Sequence, residues 1–284
     1  MYEEYWRLKE KPFENTPDPR FIYYSQRHEE ALSRMLYAMR QRKGAALLTG
    51  ECGSGKTLLS RVLWQELQQE NRYRAAFILN PRLSSFEFVQ EIFLQLSGTN
   101  AAPTKIDLFH ALHNVLYANH DADKHSIIVI DEAQAISEED IFEELRLLLN
   151  FQLNNSFLLT LILLGQPELK ERIHKLPQLK QRIAIKYHLS ALSQKETAGY
   201  ITHRLSVAGA KEGIFQDDAL EEIYRFSDGV PRRINNICDM ALLIGYSKKL
   251  TRIDKKIVME VAIDLGEAMI HENKNIVHCQ INSQ

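Results

Sequence analysis

The sequence contains few cysteines and no long apolar segment, and both absences exclude whole classes of protein. Its three cysteines, Cys52, Cys238 and Cys279, are too few and too far apart for a disulfide framework or a zinc cluster. We therefore expect reduced thiols in a cytoplasmic protein. The longest apolar stretches, such as residues 161–164, are much shorter than the roughly 20 residues that span a bilayer. Any attachment to the inner membrane is therefore expected to go through a partner protein.

The sequence also lacks an excess of charge of either sign. It has 35 Lys and Arg against 37 Asp and Glu, which gives a formal net charge of −2. Non-specific binding to nucleic acid through overall charge is therefore not predicted. Hydrophobic residues make up 45% of the chain, which is enough for a sizeable core. The opening segment MYEEYWRLKEKPF is charged, so we expect no signal peptide there.

Short apolar runs alternate with helical patterns up to about residue 190, and this alternation predicts an α/β fold. The predicted strands are residues 45–49, 75–79, 126–130, 157–164 and 183–189. The predicted helices are residues 28–43, 56–70, 85–96, 107–119 and 138–151, the last capped by Ser137. Strand and helix alternating in this way indicate a parallel five-stranded sheet with right-handed crossovers.

The two ends of the chain follow other patterns. Residues 1–26 are rich in proline and aromatic side chains, which predicts an ordered arm without a regular helix. After about residue 190 only helical segments follow, and Ser193 and Glu196 have the spacing of a capping box. The predicted lid helices are 193–208, 218–226, 231–246 and 254–268. We therefore expect an arm (1–26), an α/β base (27–190), a small all-helical lid (191–268) and a polar tail (269–284).

The strongest motif is Gly50-Glu51-Cys52-Gly53-Ser54-Gly55-Lys56-Thr57, which has the spacing G-x-x-x-x-G-K-[ST]. It lies between a predicted strand and a predicted helix, as a phosphate loop does. The glycines let backbone N–H groups turn toward phosphate oxygens, and the helix start adds the positive end of its dipole. We expect Lys56 to reach the β- and γ-phosphates and the Thr57 hydroxyl to bind Mg²⁺.

Two carboxylates, Asp131 and Glu132, follow the third predicted strand. Burying them is costly unless they bind something, and ligands lie at this end of the strands in an open α/β sheet. Asp131 is placed to hold Mg²⁺ or its water, and Glu132 is the candidate that polarises the attacking water. Gln166, Arg182 and Arg232 are candidates to meet the negative charge that spreads over the γ-phosphate in the transition state. Each arginine by itself also fits a solvated surface charge.

With its motifs in this order, the sequence resembles the AAA+ branch of phosphate-loop ATPases over residues 1 to about 268. More narrowly, it resembles the general secretion pathway protein A group, which includes ATPases of type II secretion and of mannose-sensitive-haemagglutinin-type pilus biogenesis. The narrower resemblance rests on six segments besides the overall order: KPF–PDPRF (11–21), the phosphate loop (50–57), IDEAQ (130–134), LRLLLNF (145–151), LGQPEL (164–169) and GVPRRIN (229–235).

The resemblance implies a role for each of several residues. It places Gln166 at the sensor-1 position, Arg232 at the sensor-2 position, and Arg182 as an arginine finger that enters the neighbouring subunit's site. Asn80, after the second strand, would hold Glu132 in a resting pose, and residues 13–24 would cover the adenine base. The phosphate loop and Asp131 would hold ATP with Mg²⁺.

The resemblance also implies a function. Proteins of this kind are ATPases that assemble into homo-oligomeric rings or filaments. The expected role is to assemble or regulate a secretion or pilus apparatus, in the cytoplasm or at the inner membrane through a membrane-associated partner. Two alternatives stay open at this stage: a DNA-binding helper ATPase of the transposition type, and a nucleotide-gated scaffold that barely turns ATP over.

Overall fold

The computed structural model describes residues 1–100 and 104–266, which form two compact units. One unit contains Gln26–Cys52 and Lys56–Ser190, and the other contains Met1–Ser25, Gly53–Gly55 and the chain from Ala191 onward. The predicted tail (269–284), Cys279 and the last two residues of the helix predicted for 254–268 lie outside the described residues. Within the described ranges, no helix is both long and apolar enough to cross a membrane.

A parallel five-stranded sheet forms the centre of the α/β unit, which confirms the predicted fold class. The strand order is β2–β3–β4–β1–β5. The strands are β1 (Ala45–Gly50), β2 (Tyr73–Ile78), β3 (His125–Ile130), β4 (Leu159–Gly165) and β5 (Ile183–Leu189). Every residue of β1, β3 and β4 is buried, as expected for strands whose two faces are both covered.

Seven helices belong to this unit, two of which the sequence patterns did not predict. They are α1 (Gln26–Arg40), α2 (Lys56–Gln69), α3 (Ser85–Ser97), α4 (Lys105–Asp121), α5 (Glu139–Leu148), α6 (Pro167–His174) and α7 (Pro177–Arg182). The unpredicted helices, α6 and α7, each begin with a proline, which is favoured in the first turn. They have only eight and six residues, too few to show a clear helical period.

Several predicted boundaries in this unit are wrong, among them the start of α5 and the bounds of the second strand. Ser137 does not cap α5, because Glu138 occupies the N-cap position. The Glu138 carboxylate makes no cap bond there and instead accepts from the backbone N–H of Ser85, at the start of α3, at 2.9 Å. The second strand begins at Tyr73, where its pairing with β3 starts, and ends at Ile78. Leu79, predicted to be in that strand, is 57% exposed.

The strand order brings the carboxyl ends of three strands together. Leu48 of β1 lies beside Leu164 of β4, and Leu163 of β4 lies beside Ile130 of β3. The loops after β1, β3 and β4 therefore leave the sheet at the same edge, where ligands bind in sheets of this kind.

The other unit is helical, and the N-terminal arm packs onto it. Its helices are α8 (Gln194–Val207), α9 (Asp217–Ser227), α10 (Pro231–Ser247) and α11 (Lys255–Asp264), and α8 begins with the predicted capping box. Trp6, Phe13 and Phe21 of the arm are buried in the core of this unit. The buried guanidinium of Arg204 donates to the backbone carbonyls of Pro12 and Glu14 at 2.5 and 3.0 Å. The buried aromatic side chains and the hydrogen bonds from Arg204 together hold the arm in place.

Candidate functional site

The loop between β1 and α2 wraps around its own lysine. Gly53 and Gly55 have φ values of +81° and +103°, in the region that favours glycine. The Lys56 side chain is buried, and its ammonium donates to the carbonyls of Gly50 and Glu51, both at 2.8 Å. Burial lowers the pKa of Lys56, while the nearby carboxylates oppose this effect. The ammonium therefore lies inside the loop, at the N-terminal end of α2.

The Asp131 carboxylate lies beside the first turns of α2. It is 1% exposed, and burial raises its pKa, while hydrogen bonds from the Glu132 N–H and the Thr57 and Ser60 hydroxyls oppose the rise. Ser60 Oγ donates to Asp131 Oδ2 at 3.1 Å, and the Glu132 N–H donates to Oδ1 at 2.9 Å. The structure thus brings together Thr57 and Asp131, the two residues expected to share a metal ion.

The donor set at this point fits Mg²⁺. A carboxylate and a hydroxyl are the hard oxygen ligands that this ion takes. Across residues 1–100 and 104–266, no group of three or more His, Cys, Asp or Glu side chains is arranged to hold a metal ion. Mg²⁺ usually takes one or two protein ligands together with water and substrate phosphates. Thr57 and Asp131 are the residues that would hold it.

Two side-chain amides hold the carboxylate of Glu132. Its backbone is in the left-handed conformation, with φ 51° and ψ 36°. The Gln134 amide donates to Glu132 Oε2 at 2.5 Å, and the Gln166 amide approaches the same oxygen at 3.5 Å. The Gln134 oxygen accepts from the backbone N–H of Gln166 at 2.9 Å. Gln134 therefore connects the carboxylate after β3 to the end of β4.

Gln134 is a site residue that the sequence reasoning missed. It lies in the segment IDEAQ (130–134), and its position two residues after Glu132 is the only sequence signal for a role at the site. Gly165 leaves room for the Gln134 side chain, because a Cβ there would lie 2.8 Å from Gln134 Oε1. Arg172 of α6 donates to the Gln134 carbonyl at 3.1 Å. The side chain thus lies against the end of β4, and Arg172 of α6 holds the backbone of Gln134.

In the described residues, the Asn80 side chain makes no hydrogen bond to Glu132. Because β2 ends at Ile78, Asn80 lies in an exposed loop, where its oxygen accepts from the backbone N–H of Arg82 at 3.3 Å. In the described part of the chain, the side chains that donate to the Glu132 carboxylate are Gln134 and Gln166. Gln134 therefore makes a contact of the kind expected from Asn80, whose role stays a prediction.

The two candidate arginines lie in different units. Arg182, at the end of α7, donates to the Leu149 carbonyl at 2.9 Å and to Asn150 Oδ1 at 2.5 Å. These bonds connect α7 to the chain just after α5. Arg232 lies in the first turn of α10, in the helical unit, and its backbone N–H donates to the Gly53 carbonyl at 3.3 Å.

Comparisons with known proteins agree with this geometry. Residues 39–173 match the family model described as AAA domain. The chain is 40% identical over 252 residues to general secretion pathway protein A of Aeromonas hydrophila. The match covers 87% of this chain and 45% of that protein, so the chain spans less than half of its relative's length.

Solved structures share the fold at lower identity. The ORC2 protein of Aeropyrum pernix, in its ADPNP–ADP complexes, matches with a TM-score of 0.65 and 17% identity over 90% of this chain and 72% of that chain. Cdc6p from Pyrobaculum aerophilum matches with a TM-score of 0.65 and 18% identity over 87% of this chain and 70% of that chain. At these identities the likeness concerns the fold alone. From these comparisons, residues 39–173 belong to the AAA domain family, and the chain is a relative of general secretion pathway protein A over 87% of its length.

Proposed function

We propose that this chain binds ATP with Mg²⁺ and hydrolyses it, and that the cycle drives assembly or regulation of a secretion or pilus apparatus. The observation that carries the proposal is the contact of buried Asp131 with Thr57 and Ser60, next to a loop that encloses Lys56. A phosphate loop by itself indicates an anion site, whereas an adjoining carboxylate and hydroxyl provide for a metal-bound triphosphate. The name of the Aeromonas relative supports the secretion role.

Binding rests on the loop and on the start of α2. The N–H groups of residues 50–55 surround the phosphates, and the Lys56 ammonium exchanges its two loop carbonyls for phosphate oxygens. Thr57 and Asp131 would hold Mg²⁺, which would neutralise charge on the phosphates. The roles that the resemblance implies for residues 13–24 at the adenine base and for Arg232 as sensor 2 stay predictions.

Hydrolysis depends on Glu132, which orients a water molecule and accepts a proton from it as the water attacks the γ-phosphate. Gln134 and Gln166 hold the carboxylate in place, and Gln166 as sensor 1 also meets the γ-phosphate. Arg182 of a neighbouring subunit in a ring or filament supplies positive charge to the transition state. To do so it releases its bonds to Leu149 and Asn150.

Steady-state ATP hydrolysis, measured with and without Mg²⁺ and with and without duplex DNA, tests the proposal. We expect hydrolysis that requires Mg²⁺ and is unchanged by DNA, together with a larger assembly in ATP by size-exclusion chromatography. Strong stimulation by DNA, lost at high salt, would favour the DNA-helper alternative. ATP binding with almost no turnover would favour the scaffold.

The role of Gln134 is tested by comparing Gln134→Leu with Asn80→Ala. Leucine removes both amide hydrogen bonds at similar volume, so Glu132 loses its orientation while the phosphate contacts remain. For Gln134→Leu we expect kcat to fall about 10- to 100-fold and KM to change less than about 2-fold. For Asn80→Ala, whose described bond goes to Arg82, we expect kcat within about 2-fold of wild type. The opposite result would return the role to Asn80.

A further inference from the structure

A cavity lined by basic and apolar side chains lies in the α/β unit, and its lining includes none of the residues proposed to handle ATP. It has a volume of about 230 Å³ and opens between the edge strand β5 and helices α6 and α7. Five basic side chains line it: Lys170, His174, Lys180, Lys186 and His188. None of the described side chains that line the cavity is acidic.

The contacts within the cavity make the His174 imidazole a donor. The Lys180 ammonium lies 3.1 Å from His174 Nδ1, and an ammonium can only donate. His174 therefore accepts at Nδ1, which leaves the proton on Nε2. The buried Thr49 hydroxyl donates to the Tyr187 carbonyl at 3.5 Å and lies 3.1 Å from His188 Nδ1.

The three lysines of the cavity have no carboxylate partners in the described structure. The lysines that do pair with carboxylates, Lys11, Lys105 and Lys248, lie elsewhere. One carboxylate does approach this edge of the sheet, because Glu30 accepts from the Tyr187 hydroxyl at 3.1 Å. Glu30 is paired with Arg34 at 2.6 Å, so its charge is already balanced.

A cavity whose polar groups are ammonium and N–H donors fits a ligand whose polar atoms are hydrogen-bond acceptors. Like charges held together repel one another, and a bound anion removes that cost. Phosphate oxygens are acceptors, and lysine binds phosphate as a compact point charge. The apolar side chains of Leu47 and Ile173 at the cavity wall give room for a small organic body beside the phosphate.

We propose that this cavity is a binding site for a phosphate monoester, separate from the phosphate loop. The phosphate lies between the three lysines and the Nε2–H group of His174, with His188 beside it, and the body of the ligand lies against the apolar wall. The chemistry is the same for a soluble phosphate ester and for a lipid headgroup with a terminal phosphate, so the experiment includes both. The site does not depend on ATP hydrolysis.

Lysine footprinting tests the site directly. The full-length chain is acetylated with a limiting reagent, and each lysine is quantified by mass spectrometry. The probes are glycerol 3-phosphate, with glycerol as the uncharged control, and vesicles containing phosphatidic acid, with phosphatidylcholine vesicles as the control. We expect Lys170, Lys180 and Lys186 to be protected at least about 5-fold at millimolar glycerol 3-phosphate, and Lys175 to be unchanged.

The vesicle arm separates the two sources of the phosphate. Protection by phosphatidic acid at a far lower phosphate concentration than by glycerol 3-phosphate would assign the site to a lipid, and protection by the soluble ester alone would assign it to a metabolite. Either result supports a phosphate monoester site. Absence of protection in both arms, or equal protection of Lys175, would overturn it.

Two double variants that lose the same amount of positive charge separate a specific site from a general charge effect. Lys180→Gln with Lys186→Gln removes two lining ammonium groups, and Lys175→Gln with Lys255→Gln removes two exposed ones elsewhere. In the first variant, we expect half-protection of Lys170 to need at least about 10 times more glycerol 3-phosphate, because two charge-assisted bonds are lost. In the second we expect less than about a 2-fold change. Equal effects of the two double variants would mean a general charge effect and would overturn the site.

Discussion

We expect that replacing Glu132 with Gln stops ATP turnover and leaves nucleotide binding intact. Glutamine keeps the size of the side chain but cannot draw a proton from the attacking water. We expect kcat to fall about 10²- to 10⁴-fold, the range attributed to a positioned general base. The affinity for ATP, measured by isothermal titration, should change less than about 3-fold, because Lys56, Thr57 and Asp131 are untouched.

A matched control makes this result specific to the site. Glu139→Gln makes the same chemical change at an exposed carboxylate in the first turn of α5. We expect it to hydrolyse ATP at the wild-type rate. Normal turnover in Glu132→Gln would remove the role of Glu132 in handling water and, with it, the positioning role of Gln134.

For Lys56→Ala, in contrast, we expect a loss of nucleotide binding itself. The buried ammonium donates to the loop carbonyls of Gly50 and Glu51, and in the proposed complex it would meet the β- and γ-phosphates. Hydrogen bonds to charged groups are worth about 1.5–3 kcal/mol each, so losing two of them weakens ATP binding at least about 100-fold. Isothermal titration with ATP and Mg²⁺ measures the loss, and the thermal midpoint shows whether the variant is folded.

Lys124→Ala is the control for this variant, since it removes an equal charge beside β3, far along the sequence from the phosphate loop. It should bind ATP like the wild type. A folded Lys56→Ala protein that binds ATP with wild-type affinity would contradict the phosphate-loop assignment.

The same variant also tests Arg182 as a finger that acts between subunits. Arg182→Ala keeps a complete phosphate loop, whereas Lys56→Ala keeps its arginine. If the finger enters a neighbouring site, a mixture of the two inactive proteins contains junctions with both parts and regains measurable activity. No recovery in mixed assemblies would leave Arg182 with only its observed task of joining α7 to Leu149 and Asn150.

The sequence alone determined the elements whose cause is local. The left-handed turns at Gly53 and Gly55 require glycine, so the loop could be recognised from its spacing. The capping box at Ser193 and Glu196 acts within one helical turn, and the structure contains it. The buried strands show as apolar runs, which is why their parallel alternation with helices, and Asp131 and Glu132 after one of them, could be predicted.

Only the tertiary structure decided which side chains meet. Gln134 reaches Gln166 because β4 lies next to β3. Strand order determines which strands are adjacent, and no local sequence pattern specifies it. Asn80 is left in solvent because β2 ends two residues before it, a boundary fixed by pairing with β3. The cavity beside β5 joins residues from two strands and two short helices. Contacts between residues distant in the sequence depend on packing and register, which hydrophobic periodicity does not encode.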